Sequence, residues 1–460
     1  MKKNGRAYLF HAATISLCPE CITPIPAKII IKEGSVYLQK QCRGHGAFEC
    51  LVEEDAEWYL RRMKYDKAGT AVKTQTEIDQ GCPLDCGLCP DHEQHTCIGV
   101  LEITNHCGLG CPLCYAESGK NDYFMGLDQI EKMMDFFQDA ENGKAEILQI
   151  SGGEPCTHPE IIKIIEMARG KGFKYVMLNT NGLRIAEDSG FVKQLSRFET
   201  GFEVYLQFDG FEKETYMHLR GKDLCKNKRD AVDNLVKSGV AVTLVPTIEK
   251  GINDHAVGRI IDFGLNTPCV RGINFQPMAY FGRGIQNCPL DRITITGILH
   301  RIEEQMCGRI RVDDFVPLPC NVDSVAVAYL FRENDKFVPI SRQIDISSYL
   351  PVINNTFYMD ALELTDELKT CKMCDCMTFL KGIQRFMPAG YIIKSLKEQK
   401  AFIDRNTFRI SVSMFQDPYN FEMHAMKKEC VHIITGDLKR IPFSAYNMIH
   451  RRNRDEGKEK

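Results

Sequence analysis

Two stretches of this chain space three cysteines identically, Cys82-x3-Cys86-x2-Cys89 and Cys107-x3-Cys111-x2-Cys114. Thiolates this close in sequence can converge on one face of a cubic [4Fe–4S] cluster, and a fourth thiolate decides whether the last iron is closed off or left open. Cys97 follows the first triplet and supplies such a ligand, so Cys82, Cys86, Cys89 and Cys97 are expected to hold a closed, auxiliary [4Fe–4S] centre. A structural zinc is the plainer alternative there, and His92 or His95 could stand in for Cys97. No fourth thiolate stands near Cys107, Cys111 and Cys114, which points to a cluster with one open iron. Zinc is a poor fit for that second triplet, because it favours paired CxxC knuckles with a fourth ligand.

Further upstream, Cys18-Pro-Glu-Cys21 and Cys42-Arg-Gly-His45 have the spacing of two metal knuckles on two hairpins. They predict a mononuclear Zn or rubredoxin-like Fe site built from Cys18, Cys21, Cys42 and His45, with Cys50 competing for the last position. In the C-terminal part, Cys371, Cys374 and Cys376 form a tight trio that is oxidation-prone unless it binds a metal, while Cys320 and Cys430 are isolated and read equally well as inert core thiols. With 21 cysteines in CxxC-type groups in a 460-residue chain, metal binding in a reducing compartment is favoured over disulfides.

The elements that position these groups follow from patterning. Short β-like runs such as Lys28–Ile31 and Ser35–Leu38, broken by Pro and Gly, mark a metal-binding N-terminal region: a zinc-ribbon/rubredoxin-like module at 1–60 and an auxiliary-cluster segment at 61–98. From 99 to 285, apolar runs at 99–104, 146–151, 174–179, 203–208, 240–247 and 271–276 alternate with helical stripes such as Leu127, Ile130, Met133, Met134 and Phe137. The predicted fold class is α/β, a partial (β/α)6 TIM-type barrel, followed by an irregular α+β C-terminal region at 286–460 with helices near 290–306 and 359–369 and a strand at 408–413. Barrels bind ligands at the C-terminal ends of their strands. At those ends lie the second cysteine triplet, Ser151-Gly152-Gly153-Glu154-Pro155, Thr180-Asn181-Gly182 and Gln207-Phe208-Asp209-Gly210.

On these residues, 99–285 resembles the radical S-adenosylmethionine (SAM) superfamily. The resemblance implies that Cys107, Cys111 and Cys114 hold three irons of a [4Fe–4S] cluster, that S-adenosyl-L-methionine binds the open iron, and that one electron cleaves it to a 5′-deoxyadenosyl radical. It also implies that Gly152, Gly153 and Glu154 line the SAM amino group, and that Asn181, Gln207 and Asp209 reach its ribose or methionine part. Arg220 would pair with the SAM carboxylate. Leu113 stands where the family often has an aromatic ring against adenine, and Tyr115 would supply part of that contact.

The order of ribbon, GCPxxCGxCxxH segment, barrel and the late Asp417-Pro418-Tyr419-Asn420, Cys430-Val431-His432 and Pro442-Phe443-Ser444 elements is similar to the class D methyltransferase-like subgroup, which includes pterin methylases and tetraether synthases. The resemblance implies C–C bond formation or methyl(ene) transfer at an unactivated carbon of a lipid tail or pterin-like substrate, driven by an electron donor such as a ferredoxin or flavodoxin. The chain departs from that subgroup after Cys320 and at Ser444, where relatives often carry more cysteines. A non-catalytic iron–sulfur electron carrier or redox sensor is the competing class, and a peptide-maturing radical SAM enzyme a lesser one. The net charge of −3 gives no field for nucleic acid, and no run is long and apolar enough to span a membrane, so a cytoplasmic protein is expected, with peripheral membrane contact left open.

Overall fold

The computed structural model describes residues 7–119, 122–284, 288–333, 336–350, 353, 355–357 and 394–451. Cys371, Cys374, Cys376 and the helix expected at 359–369 lie outside the described residues.

The N-terminal module is an antiparallel sheet in the order β1 (Leu9–Leu17), β2 (Pro24–Lys32), β3 (Ser35–Cys42), β4 (Gly46–Glu53). Val36 and Leu38 on β3 alternate inward with Ala27 and Ile29 on β2, and helix α1 (Ala56–Arg61) covers them with Ala56 and Tyr59. Asp55 starts that helix by accepting from the backbone N–H groups of Glu57 at 2.9 Å and Trp58 at 3.0 Å. Trp58, the chain's one tryptophan, turns the other way and packs into the main core, fixing the module to the barrel.

The barrel elements follow the sequence pattern closely. They are β5 (Ile98–Glu102), α2 (Leu127–Ala140), β6 (Ile147–Ser151), α3 (Ile161–Gly170), β7 (Tyr175–Thr180), α4 (Leu183–Glu187), α5 (Ser189–Leu195), β8 (Phe202–Gln207), α6 (Lys213–Arg220), α7 (Cys225–Ser238), β9 (Val242–Val245), β10 (Thr247–Ile248), α8 (Val257–Leu265), β11 (Val270–Pro277) and α9 (Ile295–Gln305).

The C-terminal region does not form a layer of its own. It supplies β12 (Val316–Pro317), β13 (Val325–Glu333), β14 (Lys336–Pro339), β15 (Thr407–Ser413), β16 (Val431–Ile434) and β17 (Arg440–Pro442) to the same sheet. The order β12-β13-β15-β11-β9-β8-β7-β6-β5-β16-β17 places β15 and β16 as extra parallel strands at the two edges of the core. Antiparallel β13 and β17 lie outside them. A four-residue strand such as β16 has no stability alone, and an open sheet edge offers it a row of unpaired backbone groups. β12 and β17 are not paired with each other, so the barrel is open.

Alternation along the strands divides the interior. Leu148, Ile150, Val176, Leu178, Val204, Leu206, Ile273, Phe275, Ile410 and Val412 face the helices and make the main core. Their neighbours one residue away face inward and include Gln149, Asn179, Tyr205, Gln207, Asn274, Gln276, Ser411 and Ser413. A closed barrel of this type fills its centre with branched apolar layers. Here the centre is a cavity of about 1270 Å³. Its lining runs from Cys107, Cys111, Gly153 and Glu154 at the C-terminal ends of the strands to Tyr175, Phe202, Arg271 and Thr407 at the other ends. No helix among the described residues is long and apolar enough to cross a membrane.

Candidate active site

The loop after β5 carries Cys107, Cys111 and Cys114, all half-buried and all lining the cavity. The strip after β6 is welded to it by backbone pairing that outlasts the strands: Gly153 N–H donates to Thr104 O at 2.7 Å and Glu154 N–H to His106 O at 2.8 Å. Gly152 and Gly153 are needed for this approach. A Cβ on Gly152 would stand 2.2 Å from Thr104 O, at φ +133°, and one on Gly153 would stand 2.4 Å from His106 O. The far side of the loop is clamped by the segment after β11, where Arg283 N–H donates to Cys114 O at 3.1 Å and the Arg283 guanidinium to Ser118 O at 2.7 Å. Burial raises the Cys107 and Cys111 thiols, so an iron that binds there must displace a firmly held proton.

Glu154 is buried and ties the end of β6 to the end of β7. Its carboxylate accepts from Cys156 N–H at 3.0 Å, Thr180 Oγ1 at 2.6 Å and Asn181 N–H at 2.7 Å. Burial raises its pKa while these donors pull it back. Asn181 turns its side-chain oxygen to Leu183 N–H at 2.9 Å, capping the start of α4. Asp209, fully buried, accepts a forked pair from Arg220 at 2.7 and 2.8 Å, Thr247 N–H at 3.1 Å and the Gln207 amide. The Arg220 fork expected for the SAM carboxylate is thus occupied by Asp209, and the guanidinium also faces the Cys111 thiol.

One group here escaped the sequence reading. Lys228 on α7 donates to Asn181 O and, at 2.9 Å, to Gln207 Oε1, joining the ends of β7 and β8; burial holds its pKa down at about 7. The signal was present as a lysine at the head of the buried stripe Lys228, Ala231, Val232 and Leu235. The inward polar residues of the strands other than Gln207 were missed as well, because their apolar neighbours dominate each run.

Among the described residues, two groups of candidate metal ligands have donor atoms that all lie within 4.8 Å of one another. Cys18, Cys21, Cys42 and His45 form the first, with Cys21 and Cys42 sulfurs 3.9 Å apart and His45 Nδ1 3.5 Å from both Cys18 and Cys42. Cys50 is not part of it. It is buried and donates to Leu51 O and Pro289 O. Cys97, Cys320 and Cys430 form the second group, so Cys97 has two thiols beside it other than Cys82, Cys86 and Cys89. The cause is β5: its pairing with β16 begins with Cys97 N–H donating to Cys430 O at 2.9 Å.

Cys82, Cys86 and Cys89 line a small cavity with Asp85, Asp91 and His92. Their loop is pinned by the Asp85 carboxylate, which accepts from Asp79, Gln80 and Gly81 N–H at 2.6 to 2.8 Å. Burial pushes the Cys82 thiol up to about 12. His92 turns to His432, with Nε2 atoms 3.1 Å apart, and His95 Nε2 stands 3.9 Å from the Cys97 sulfur.

A loop of three thiols, welded to a glycine strip and opening on a large cavity with polar side chains on its wall in an open α/β barrel, is the machinery of a radical SAM enzyme. Residues 101–264 match the radical SAM superfamily, and residues 10–54 match the HMPTM N-terminal zinc ribbon domain. The chain is 34% identical to the 7,8-dihydro-6-hydroxymethylpterin dimethyltransferase of Methanocaldococcus jannaschii, over 96% of this chain and 94% of that one. It belongs to that family of radical SAM enzymes. A probable GTP 3′,8-cyclase of Methanothermobacter thermautotrophicus is 29% identical over 35% of this chain and 52% of its own. Among solved structures, Streptococcus suis SuiB bound to the precursor peptide SuiA has a TM-score of 0.40 at 14% identity, covering 47% of this chain and 46% of its own. A radical SAM methyltransferase from Sphaerobacter thermophilus has 0.34 at 12%, covering 66% and 75%. These last likenesses are too distant to bear on function.

The donor set fits a [4Fe–4S] cluster: three thiols on one loop face the cavity, and they are not one of the two groups tight enough for a single ion. When bound, the cluster and SAM supply one-electron chemistry at an unactivated carbon. The chain's part is to hold and to exclude. Cys107, Cys111 and Cys114 would hold the cluster, and the Gly152–Glu154 strip fixes their loop. The linked Glu154–Asn181–Lys228–Gln207–Asp209–Arg220 network presents already ordered polar groups at the cavity's upper end, so little reorganisation is left for the reaction.

Proposed function

We propose that this protein transfers a one-carbon unit to an unactivated carbon of a reduced, pterin-like ring, the ring occupying the inner face of the barrel below the cluster loop. The observation that carries this reading is the set of polar side chains that this face places among its apolar ones. Asn274 donates to the Tyr205 hydroxyl and accepts from Ser411 and Ser413 at 2.7 and 2.9 Å, with Asn179 and Gln276 on the same lining. A flat heterocycle rich in nitrogen and oxygen needs a few placed donors and acceptors, whereas a lipid tail gains nothing from them and requires them to be desolvated. The relative's substrate supports the same reading. In the net change the acceptor C–H bond gives its hydrogen to the 5′-deoxyadenosyl group of one SAM, which also releases methionine, while a second SAM supplies the methyl and leaves as S-adenosylhomocysteine, two electrons being consumed. The starting electron comes from a low-potential donor of the ferredoxin or flavodoxin class.

The test is anaerobic incubation with SAM, dithionite and 7,8-dihydro-6-hydroxymethylpterin, followed by mass spectrometry of the pterin. Methylated pterin is expected. 5′-Deoxyadenosine without any change in the pterin would reject the substrate, and no 5′-deoxyadenosine at all would favour an electron carrier. Cys82, Cys86 and Cys89 are assigned to an auxiliary [4Fe–4S] cluster whose fourth ligand is not Cys97, and Cys18, Cys21, Cys42 and His45 to a single zinc. The short sulfur contacts support the second assignment.

A further inference from the structure

Cys97, Cys320 and Cys430 come from three distant places in the chain and end up fully buried with their sulfurs together. Cys430 and Cys320 sulfurs are 4.0 Å apart, and all three lie within 4.8 Å. That separation excludes a disulfide, whose sulfurs are about 2.05 Å apart. Four donors held tetrahedrally at about 2.3 Å from one ion stand about 3.8 Å from each other. In a cubane each thiolate binds its own iron at a separate corner, which spreads the ligands further. The ribbon provides a standard within the same molecule: its sulfur pair is at 3.9 Å.

The surroundings are those of a ligand set rather than of inert thiols. Gln94 Nε2 and His95 Nε2 both point at the Cys97 sulfur from 3.9 Å, and Asn355 O lies 4.0 Å from it. His95 is steered by its other ring nitrogen, Nδ1, which lies 2.8 Å from Thr70 Oγ1, the kind of outer anchor that metal-binding histidines carry. An apolar thiol has no use for such company.

We propose that Cys97, Cys320 and Cys430, with His95 turning in as the fourth donor, form a second buried site for a single thiophilic divalent ion, zinc fitting best. Its place in the topology gives it a task. Cys97 and Cys430 lead into β5 and β16 near one end of the sheet, and Cys320 sits between β12 and β13 at the other. Among the described residues the sheet has no hydrogen-bonded seam, and the ion is the clasp that joins its two ends.

The test is elemental analysis of anaerobically purified holoprotein, with acid-labile sulfide measured alongside. Cys320→Ser and Cys430→Ser should each lose one zinc or one iron per chain while sulfide stays constant. A fall in sulfide means a cluster, and unchanged metal means packed thiols; either result overturns the proposal. Should these variants fail to fold, Cys21→Ser/Cys42→Ser empties the surface ribbon and leaves the buried group intact. Grown with cobalt(II), that protein should still show the absorption of a tetrahedral cobalt–thiolate site, and its absence overturns the proposal.

Discussion

Replacing Gly153 with Ala adds one methyl group where the glycine strip lies hard against the cluster loop. The new Cβ would lie 2.4 Å from His106 O and 2.7 Å from Asn105 O, both rigid backbone atoms. An ordinary C···O contact is about 3.3 Å, so strip and loop must separate by roughly 0.9 Å. A displacement near 1 Å at a catalytic constellation lowers rates by about 10²-fold, equivalent to about 2.7 kcal/mol of barrier. The overpacking should cost about 1–3 kcal/mol of stability. The assay is single-turnover release of 5′-deoxyadenosine under dithionite, divided by bound iron, with Tm recorded on the same sample. Gly170→Ala is the control, since a Cβ there meets nothing within 4 Å. A Gly153→Ala protein that matches the wild-type rate per iron would refute the argument that this backbone weld sets the geometry of the site.

Glu154→Gln places an amide nitrogen against one of the three donors of Cys156, Thr180 and Asn181; unfolding in urea should show a loss of about 1–3 kcal/mol, and SAM cleavage should slow. Arg292→Met strands Asp417, whose side chain is 0% exposed, and should cost about 3–5 kcal/mol, whereas Arg309→Met at the exposed pair with Asp262 should cost under about 1 kcal/mol; equal losses would discredit the role of burial. Burial holds His92 at about 4 in the folded chain, against an ordinary 6.5, so between pH 6.5 and 4 the unfolded chain binds the extra proton. Stability should therefore fall by about 3 kcal/mol as the pH drops through that window, and a His92→Gln protein with the same pH slope would show that other groups are responsible.

The sequence showed what is local. The apolar runs at 146–151 and 174–179 differ from β6 and β7 by at most one residue at either end, because strands covered by helices must be apolar on that face. The thiol spacing of the cluster loop and the ribbon was equally legible. What it hid is long-range: that Cys97 meets Cys320 and Cys430 depends on β16 pairing with β5 from over three hundred residues away, and four residues of β16 carry no such instruction. Arg220 was readable as a ligand-facing fork, but only the fold shows that Asp209 takes it. The inner face was concealed by its own alternation, since Gln149 or Asn179 reads as noise inside a run of Leu and Ile.

The polar lumen has a consequence for how such a protein changes over time. The apolar contacts that hold the fold lie between strands and helices, on residues such as Leu148, Leu178 and Ile273, while Asn179, Asn274 and Gln276 face the cavity from the same strands one position away. Substitution of a core residue leaves a void and costs several kcal/mol, whereas substitution of a lumen residue opens no new void and costs the hydrogen bonds it makes, about 1–3 kcal/mol where a buried partner is stranded. Stability and selectivity are therefore written mostly on opposite sides of the same strands, and exchanging one acceptor molecule for another leaves the packing between strands and helices intact.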